Sequence, residues 1–348
     1  MSGSERKSNL FKVAIVGGAS LKGKEVRDAL SERNFPSVDI KLLDDEDALG
    51  QLEQVNDEPT FIQSVSPEQL EGVDFAFLAA DQISTAGNWS TARDAGCDLI
   101  DLSYALENNT DVELRAPWVE RELGHTRDAG LKTAPVVVAH PAAVALAILL
   151  SRLQKVVPLR LASAVIGQPA SEYGRRGMDE LHDQTVNLLS FQQMPTAVFG
   201  AQAAFNMYVE SVKDATPSLA ESEARILRHS EKITRGQVIT PSVLLVQTPV
   251  FHGYTVAAFL LTEGDTTPEA LQKALEGPHV SPSNEAEDYP SNVNIAGVDK
   301  ILASVRGDGA GGSGYWLFAA FDNLRLPALQ AVECAEEMAL TRPRGTLQ

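Results

Sequence analysis

The sequence predicts a doubly wound α/β domain followed by an α+β domain. Three observations carry this. Short β-branched or strongly apolar runs alternate with amphipathic helical stretches through the first part of the chain, which is the signature of parallel βαβ units. After His140-Pro141 the pattern changes to strands that follow one another with fewer helices between them. The length of 348 residues, at roughly 150 per domain, favours two cores over one.

The elements follow in order. Residues 12–17 (KVAIVG) form a β-branched run ending in glycine, then a glycine-containing turn, then the amphipathic stretch KEVRDALSER. Strands follow at 38–43 (VDIKLL), 60–65 and 73–79 (VDFAFLA), with a polar acidic stretch at 44–58 between the first two. A helix at 85–95 and strands at 97–102 and 136–139 complete the first unit. Residues 134–150 (APVVVAHPAAVALAILL) approach membrane-spanning length, but His140-Pro141 interrupts them, so they read as a buried strand, a turn and a buried helix over 142–154. The second unit has strands at 159–166, 242–246, 254–261 and 301–305, and helices at 177–189 and 219–231. The glycine-rich segment 307–314 (GDGAGGSG) reads as a hairpin loop. Residues 324–340 are apolar at helical spacing, giving a last helix packed on the body. The boundaries this implies are 1–139, 140–323 and 324–348.

Composition narrows the function classes. Apolar residues are 44% of the chain and charged residues 22%, which describes a globular protein. The formal net charge of −18 argues against nucleic acid or an anionic membrane surface as a partner. Cys97 and Cys334 cannot build a disulfide framework, and no His, Cys or carboxylate spacing suggests a metal, so a reducing cytoplasm and no metal are expected. The start of the chain, MSGSERKSNLFK, lacks the apolar stretch of a secretory signal.

The first turn carries the candidate ligand motif. Gly17-Gly18-Ala19-Ser20-Leu21-Lys22-Gly23 has glycine at the outer positions of a GxxGxxG spacing and serine at the middle one. Such a loop lets backbone approach a pyrophosphate at a helix N-terminus, and it also serves as a plain strand-to-helix turn. Asp44, Asp45, Glu46 and Asp47 end the second strand. They oppose the 2′-phosphate of NADP, and one of them is placed to hold the ribose hydroxyls of NAD, or all four form a solvated acidic loop.

Read in order, KVAIVGGASLKGKEV, AGCDLIDLSYAL, VVVAHPAAVALAILL, GRRGMDELHDQT, AFN, TPVFHGYT and FDNLRLPALQAVECAE resemble the aspartate-semialdehyde dehydrogenase family over nearly the whole chain. The resemblance implies a Rossmann-like N-terminal domain for NAD or NADP, an α+β catalytic and dimerisation domain, and a C-terminal helix returning to the first domain. It also implies phosphate-dependent oxidation of the semialdehyde, run through a cysteine thiolate, a histidine and a carboxylate-binding arginine.

Position by position, the resemblance places this chain away from that chemistry. The nucleophile's position, in His140-Pro141-Ala142-Ala143-Val144, is Ala143. Gln247-Thr248-Pro249-Val250-Phe251-His252-Gly253-Tyr254-Thr255 places Gln247 at the arginine and Tyr254 at the histidine. His252 lies two residues earlier and would share Tyr254's face on a regular strand. Glu107 stands at the phosphate-binding arginine. Gln168 matches the family's active-site glutamine, and Arg225, counted back from Lys232, takes the place of a substrate-contacting lysine. Cys97 and Cys334 read as core cysteines. His140 is a substitute base or a cap on its turn, and His182 and His229 read as solvated helix residues.

Nucleophile, base and carboxylate clamp are thus all absent from their family positions, which leaves no route to a thioacyl intermediate. The expectation is a catalytically degenerate, dimeric member of the family. It would bind a dinucleotide or small anion, or serve as a partner subunit of an active relative. The alternative is an active NAD(P)-dependent semialdehyde dehydrogenase with altered residues.

Overall fold

The computed structural model describes residues 10–55, 58–125, 134–209, 218–283, 288–310 and 312–341. Residues 1–9 of the segment read for a signal, Gly311 of the hairpin loop and residues 342–348 lie outside these. The chain divides into two compact units. Unit 1 comprises 1–115, 128–138 and 328–348, and unit 2 comprises 116–127 and 139–327.

Unit 1 is built on a seven-stranded sheet of β1 (Phe11–Val16), β2 (Ser37–Asp44), β5 (Gln63–Ser64), β6 (Phe75–Leu78), β7 (Asp98–Asp101), β8 (Glu113–Arg115) and β9 (Val136–Val138), in the order β5-β2-β1-β6-β7-β9-β8. All six pairings are parallel. Central parallel strands are covered on both faces, which is why β1 and β6 read as almost unbroken apolar runs and are buried nearly throughout. The strand order reverses at β1, so the crevice outside the carboxyl ends of β1 and β6 is the topological switch point of the sheet.

Helices α1 (Leu21–Glu32), α2 (Pro67–Leu70) and α3 (Gln82–Asp94) connect the strands. Each begins at a side-chain cap, from Ser20, Ser66 and Asp81 respectively, and this moves the starts of α1 and α3 three residues earlier than apolar periodicity alone indicates. The expected single strand at 60–65 is instead two. β3 (Leu52–Val55) and β4 (Glu58–Phe61) pair as an antiparallel hairpin inside what reads as acidic loop, and β5 returns to the main sheet. Its polar composition hides it, because exposed residues at positions such as Gln54 and Glu58 carry no burial pattern.

Unit 2 has a six-stranded mixed sheet in the order β11-β10-β12-β15-β14-β13, formed by β10 (Leu159–Gln168), β11 (Ser242–Gln247), β12 (Tyr254–Thr262), β13 (Val280–Pro282), β14 (Ile301–Gly307) and β15 (Gly314–Phe321). β14 and β15 pair antiparallel across the glycine-rich loop. The helices are α4 (Pro117–Leu123), α5 (Pro141–Val156), α6 (Gly174–Leu189), α7 (Leu219–Thr234) and α8 (Pro268–Ala274). From Pro141 to Leu153 every residue of α5 is buried, as expected of a helix apolar all round. α4 packs with unit 2. Arg152 of α5 holds it there by bonding the Glu122 carboxylate at 2.8 Å.

The last helix is α9 (Arg325–Thr341). From Ala328 onward it clusters with unit 1, where Glu336 accepts from Arg33 at 2.6 and 3.0 Å and Glu337 accepts from Arg115. Cys97 and Cys334 are both buried.

Candidate functional sites in the two units

In unit 1 the loop at the switch point is shaped by its glycines. A Cβ on Gly17, whose φ is +91°, would collide with the backbone nitrogen of Ala80, and one on Gly23 would collide with the carbonyl oxygen of Gly17. Both positions therefore bring strand and helix together, whatever else they do. Ser20 is the N-cap of α1. Its hydroxyl accepts the Gly23 N–H at 2.8 Å and donates to the Ala79 carbonyl at the end of β6, also at 2.8 Å. The serine at the middle motif position thus turns its side chain toward the sheet. Asp44, the last residue of β2, accepts the Ala19 N–H through Oδ2 at 2.8 Å.

This donor set fits a pyrophosphate with fewer donors than an all-glycine loop would give. The N–H groups of Ala19 and Gly23 are already bonded within the chain. Those of Leu21 and Lys22, at the first two positions of the helix, have no acceptor one turn back inside it and lie at the positive end of its dipole. Lys22 reaches the Leu102 carbonyl at 3.0 Å, with its ammonium 5.1 Å from the centre of the Tyr104 ring. Burial pushes the Asp44 carboxyl up, and the charges of Asp45 and Asp81 push the same way against the backbone bonds from Ala19 and Asp45.

Next to this loop, the segment after β7 is organised by Asp101. Its buried carboxylate accepts from Ser103 N at 2.7 Å, Ser103 Oγ at 2.6 Å and Leu106 N at 2.9 Å. Burial raises this carboxyl, while those bonds and the Lys22 charge oppose the shift. The turn forces Tyr104 to a φ of +69° and leaves Glu107 partly exposed, so an acid stands where the resemblance implies a phosphate-binding arginine.

In unit 2 the structure brings Tyr254, Gln168 and Gln247 together with His140. Ala143 is the third residue of α5, where a side chain would feel the helix dipole, and it is completely buried. His140 caps the helix, its Nδ1 accepting the Ala142 N–H at 3.2 Å. That bond leaves the proton of the neutral ring on Nε2, which faces the Tyr254 hydroxyl at 3.4 Å. The hydroxyl in turn faces Gln168 Oε1 at 3.5 Å, and Gln168 Nε2 donates to Gln247 Oε1 at 3.3 Å. Gln247 Nε2 ends the chain on the carbonyls of Gln168 at 3.2 Å and Thr248 at 3.1 Å. The central bonds are long, and each of the four side chains is at most 2% exposed.

Two further residues join this cluster without having been expected there. Tyr173 lies beside Gln168, with its phenol pushed up by burial, then by Tyr208 and Glu172, against a hydrogen bond from Gln168. His229 is the larger correction. It is 2% exposed rather than solvated, and its Nδ1 accepts the His140 backbone N–H at 3.0 Å. A signal for it existed in the sequence, because His229 falls in the same helical stripe as Ile226 and Ile233, both buried. Arg225, one turn earlier on α7, is also buried, and Lys232 is exposed. His182 is solvent-exposed.

His252 does not share Tyr254's face by strand geometry. Gly253 has a φ of +84° and β12 begins only at Tyr254, so the alternation that would align the two is broken between them. The His252 imidazole is driven down by burial, with Asp322 opposing. Among the described residues no group of His, Cys, Asp and Glu is arranged to hold a metal ion, and no helix is long and apolar enough to cross a membrane.

Comparison with known proteins adds descent to this geometry. Residues 12–126 match the family model for the semialdehyde dehydrogenase NAD binding domain, and residues 150–326 match that for the semialdehyde dehydrogenase dimerisation domain. An aspartate-semialdehyde dehydrogenase of Rickettsia bellii is 26% identical over 95% of this chain and 98% of its own. A protein of Azotobacter vinelandii named USG-1 protein homolog is 30% identical over 93% and 96%. The crystal structure of aspartate semialdehyde dehydrogenase II complexed with ASA from Vibrio cholerae superposes with a TM-score of 0.83 at 25% identity, covering 96% of this chain and 99% of that one. With both domain models matched in order and relatives aligned nearly end to end, the chain belongs to the aspartate-semialdehyde dehydrogenase family.

Proposed function

We propose that this chain is a non-catalytic member of its family that works by binding and assembly. The observation that carries the reading is Ala143. A methyl group occupies the first-turn position of α5 where the resemblance implies a thiolate, and it forms no bond to a carbonyl carbon. The neighbouring positions support it. His140, Tyr254, Gln168 and Gln247 satisfy one another in a buried chain, whereas a reacting cluster keeps an acceptor or donor aimed at its substrate. A dinucleotide bound at the Gly17–Gly23 loop would bring a hydride acceptor, but this chain's residues supply only its binding.

Assembly is the second part of the proposal. The outer face of the unit 2 sheet carries Leu161, Val165, Leu244, Trp316 and Phe318, all exposed. The strand register places them as neighbours, with Val165 opposite Leu244 and Phe259 opposite Trp316. A continuous apolar face of this kind on the part of the chain that matches a dimerisation domain is read as the contact with a second copy.

The test is NADH and NADPH formation by the purified chain given aspartate semialdehyde and phosphate, with an Ala143→Cys, Tyr254→His, Gln247→Arg variant alongside. The unmodified chain is expected to match the no-enzyme blank. Turnover above it would overturn the non-catalytic reading and point to His140 or a relocated thiol. A gain by the variant alone would show that the missing side chains are what separates this chain from catalysis.

A further inference from the structure

We propose that Asp44 makes the unit 1 site selective for NAD over NADP, holding the adenosine ribose through its free 2′-hydroxyl. The inference deepens the binding role above and rests on it. It is tested by affinity alone, so its failure and a failure of the non-catalytic reading are separate results.

The argument starts from where Asp44 sits. It ends β2, the strand next to β1, and its carboxylate is tied to the ligand loop by the Ala19 N–H at 2.8 Å and to the Asp45 N–H at 2.9 Å. Each oxygen thus accepts one backbone bond and keeps a second acceptor position. An ionised carboxylate is acceptor-only, so it matches the two donors of a ribose 2′,3′-diol and repels a 2′-phosphate. The two backbone bonds fix the rotamer before any ligand arrives.

Charge around Asp44 works in the same direction. The Asp45 carboxylate receives Asn88 Nδ2 at 3.2 Å, and that of Asp81 caps α3 through the N–H groups of Ile83 and Ser84. Both exert their charge on Asp44. No Lys or Arg occurs anywhere from Leu42 to Ala92, the span that contains the end of β2, the β3–β4 hairpin and the cap of α3. Arg27, the buried cation of α1, is paired with Glu53 at 3.1 Å, and Lys22 is held at the Leu102 carbonyl. A 2′-phosphate would meet three carboxylates and no cation from this span. Unlike a solvated acidic loop, this segment spends one of its carboxylates on the backbone of the ligand loop itself.

The experiment is direct titration of the full-length chain with NADH and NADPH, followed by nucleotide fluorescence and calorimetry, with AMP and adenosine 2′,5′-bisphosphate as probes of the adenosine end. NADH is expected to bind at least about tenfold more tightly than NADPH, and AMP likewise over the bisphosphate. Asp44→Asn keeps the shape and removes the charge, and should bring the NADH to NADPH ratio within about threefold. Asp45→Arg, which replaces one of the three carboxylates with a cation, should tighten NADPH at least about fivefold, and unchanged far-UV circular dichroism of both variants guards against a fold defect. NADPH binding as tightly as NADH, a ratio unmoved by Asp44→Asn, or no binding of either at millimolar concentration would each overturn the proposal.

Discussion

The backbone N–H of His140 donates to Nδ1 of His229 at 3.0 Å across 89 residues of sequence, joining the cap of α5 to the middle of α7. Both residues are 2% exposed, so no water replaces the acceptor if the ring is removed. His229→Leu should therefore destabilise the chain by about 1–3 kcal/mol, the cost of a buried unsatisfied donor. Urea unfolding measures it, and His229→Asn, which restores an acceptor, should recover part of the loss.

The burial of Ala143 makes a prediction about chemistry at that position. In Ala143→Cys the new thiol, like the buried Cys97 and Cys334, should resist a disulfide reagent in the native state, with all three reacting once denaturant is added. Overpacking should cost about 1–3 kcal/mol of stability. A single fast-reacting native thiol would place residue 143 in an open site and weaken the non-catalytic reading.

Glu122 gives unit 2 a pH dependence. Burial works to raise its carboxyl, but hydrogen bonds from Arg152 and Lys155 outweigh it, so the group titrates lower folded than unfolded. Its contribution is present above the unfolded carboxylate range and is lost as pH falls through the folded value. Glu122→Gln should be less stable than the unmodified chain by about 1–2 kcal/mol at pH 7, and the gap should close as pH is lowered toward 3. Paired chemical denaturation curves at both pH values decide it.

The exposed sheet face predicts an assembly defect separable from folding. Phe318→Lys or Trp316→Glu should convert a dimer to a monomer in light scattering, with the far-UV circular dichroism unchanged. A dimer that persists in both variants would move the contact elsewhere.

Local pattern carried much of the architecture. The parallel sheet of unit 1 was legible because central strands such as β1 and β6 are buried on both faces and read as apolar runs. The polar β3–β4 hairpin, which lacks a burial pattern, was not legible, and neither was α4, whose Glu122 is bonded by Arg152 of a helix far along the chain. His229 was readable in principle from its helical stripe, and the regular-strand condition for aligning His252 with Tyr254 fails because Gly253 has a positive φ.

The sequence by itself determined the family and the absences. Ala143, Gln247 and Tyr254 are what they are in any conformation, and a methyl group is no nucleophile wherever it lies. Only the tertiary structure decided what the replacements do. Tyr254 meets His140 across 114 residues, Gln247 meets Gln168 across 79, and Asp44 reaches back 25 residues to close on Ala19. The physical reason is that a hydrogen bond is a relation between two positions in space. Composition and periodicity describe each segment's own burial, and the packing of distant segments alone determines which donor faces which acceptor.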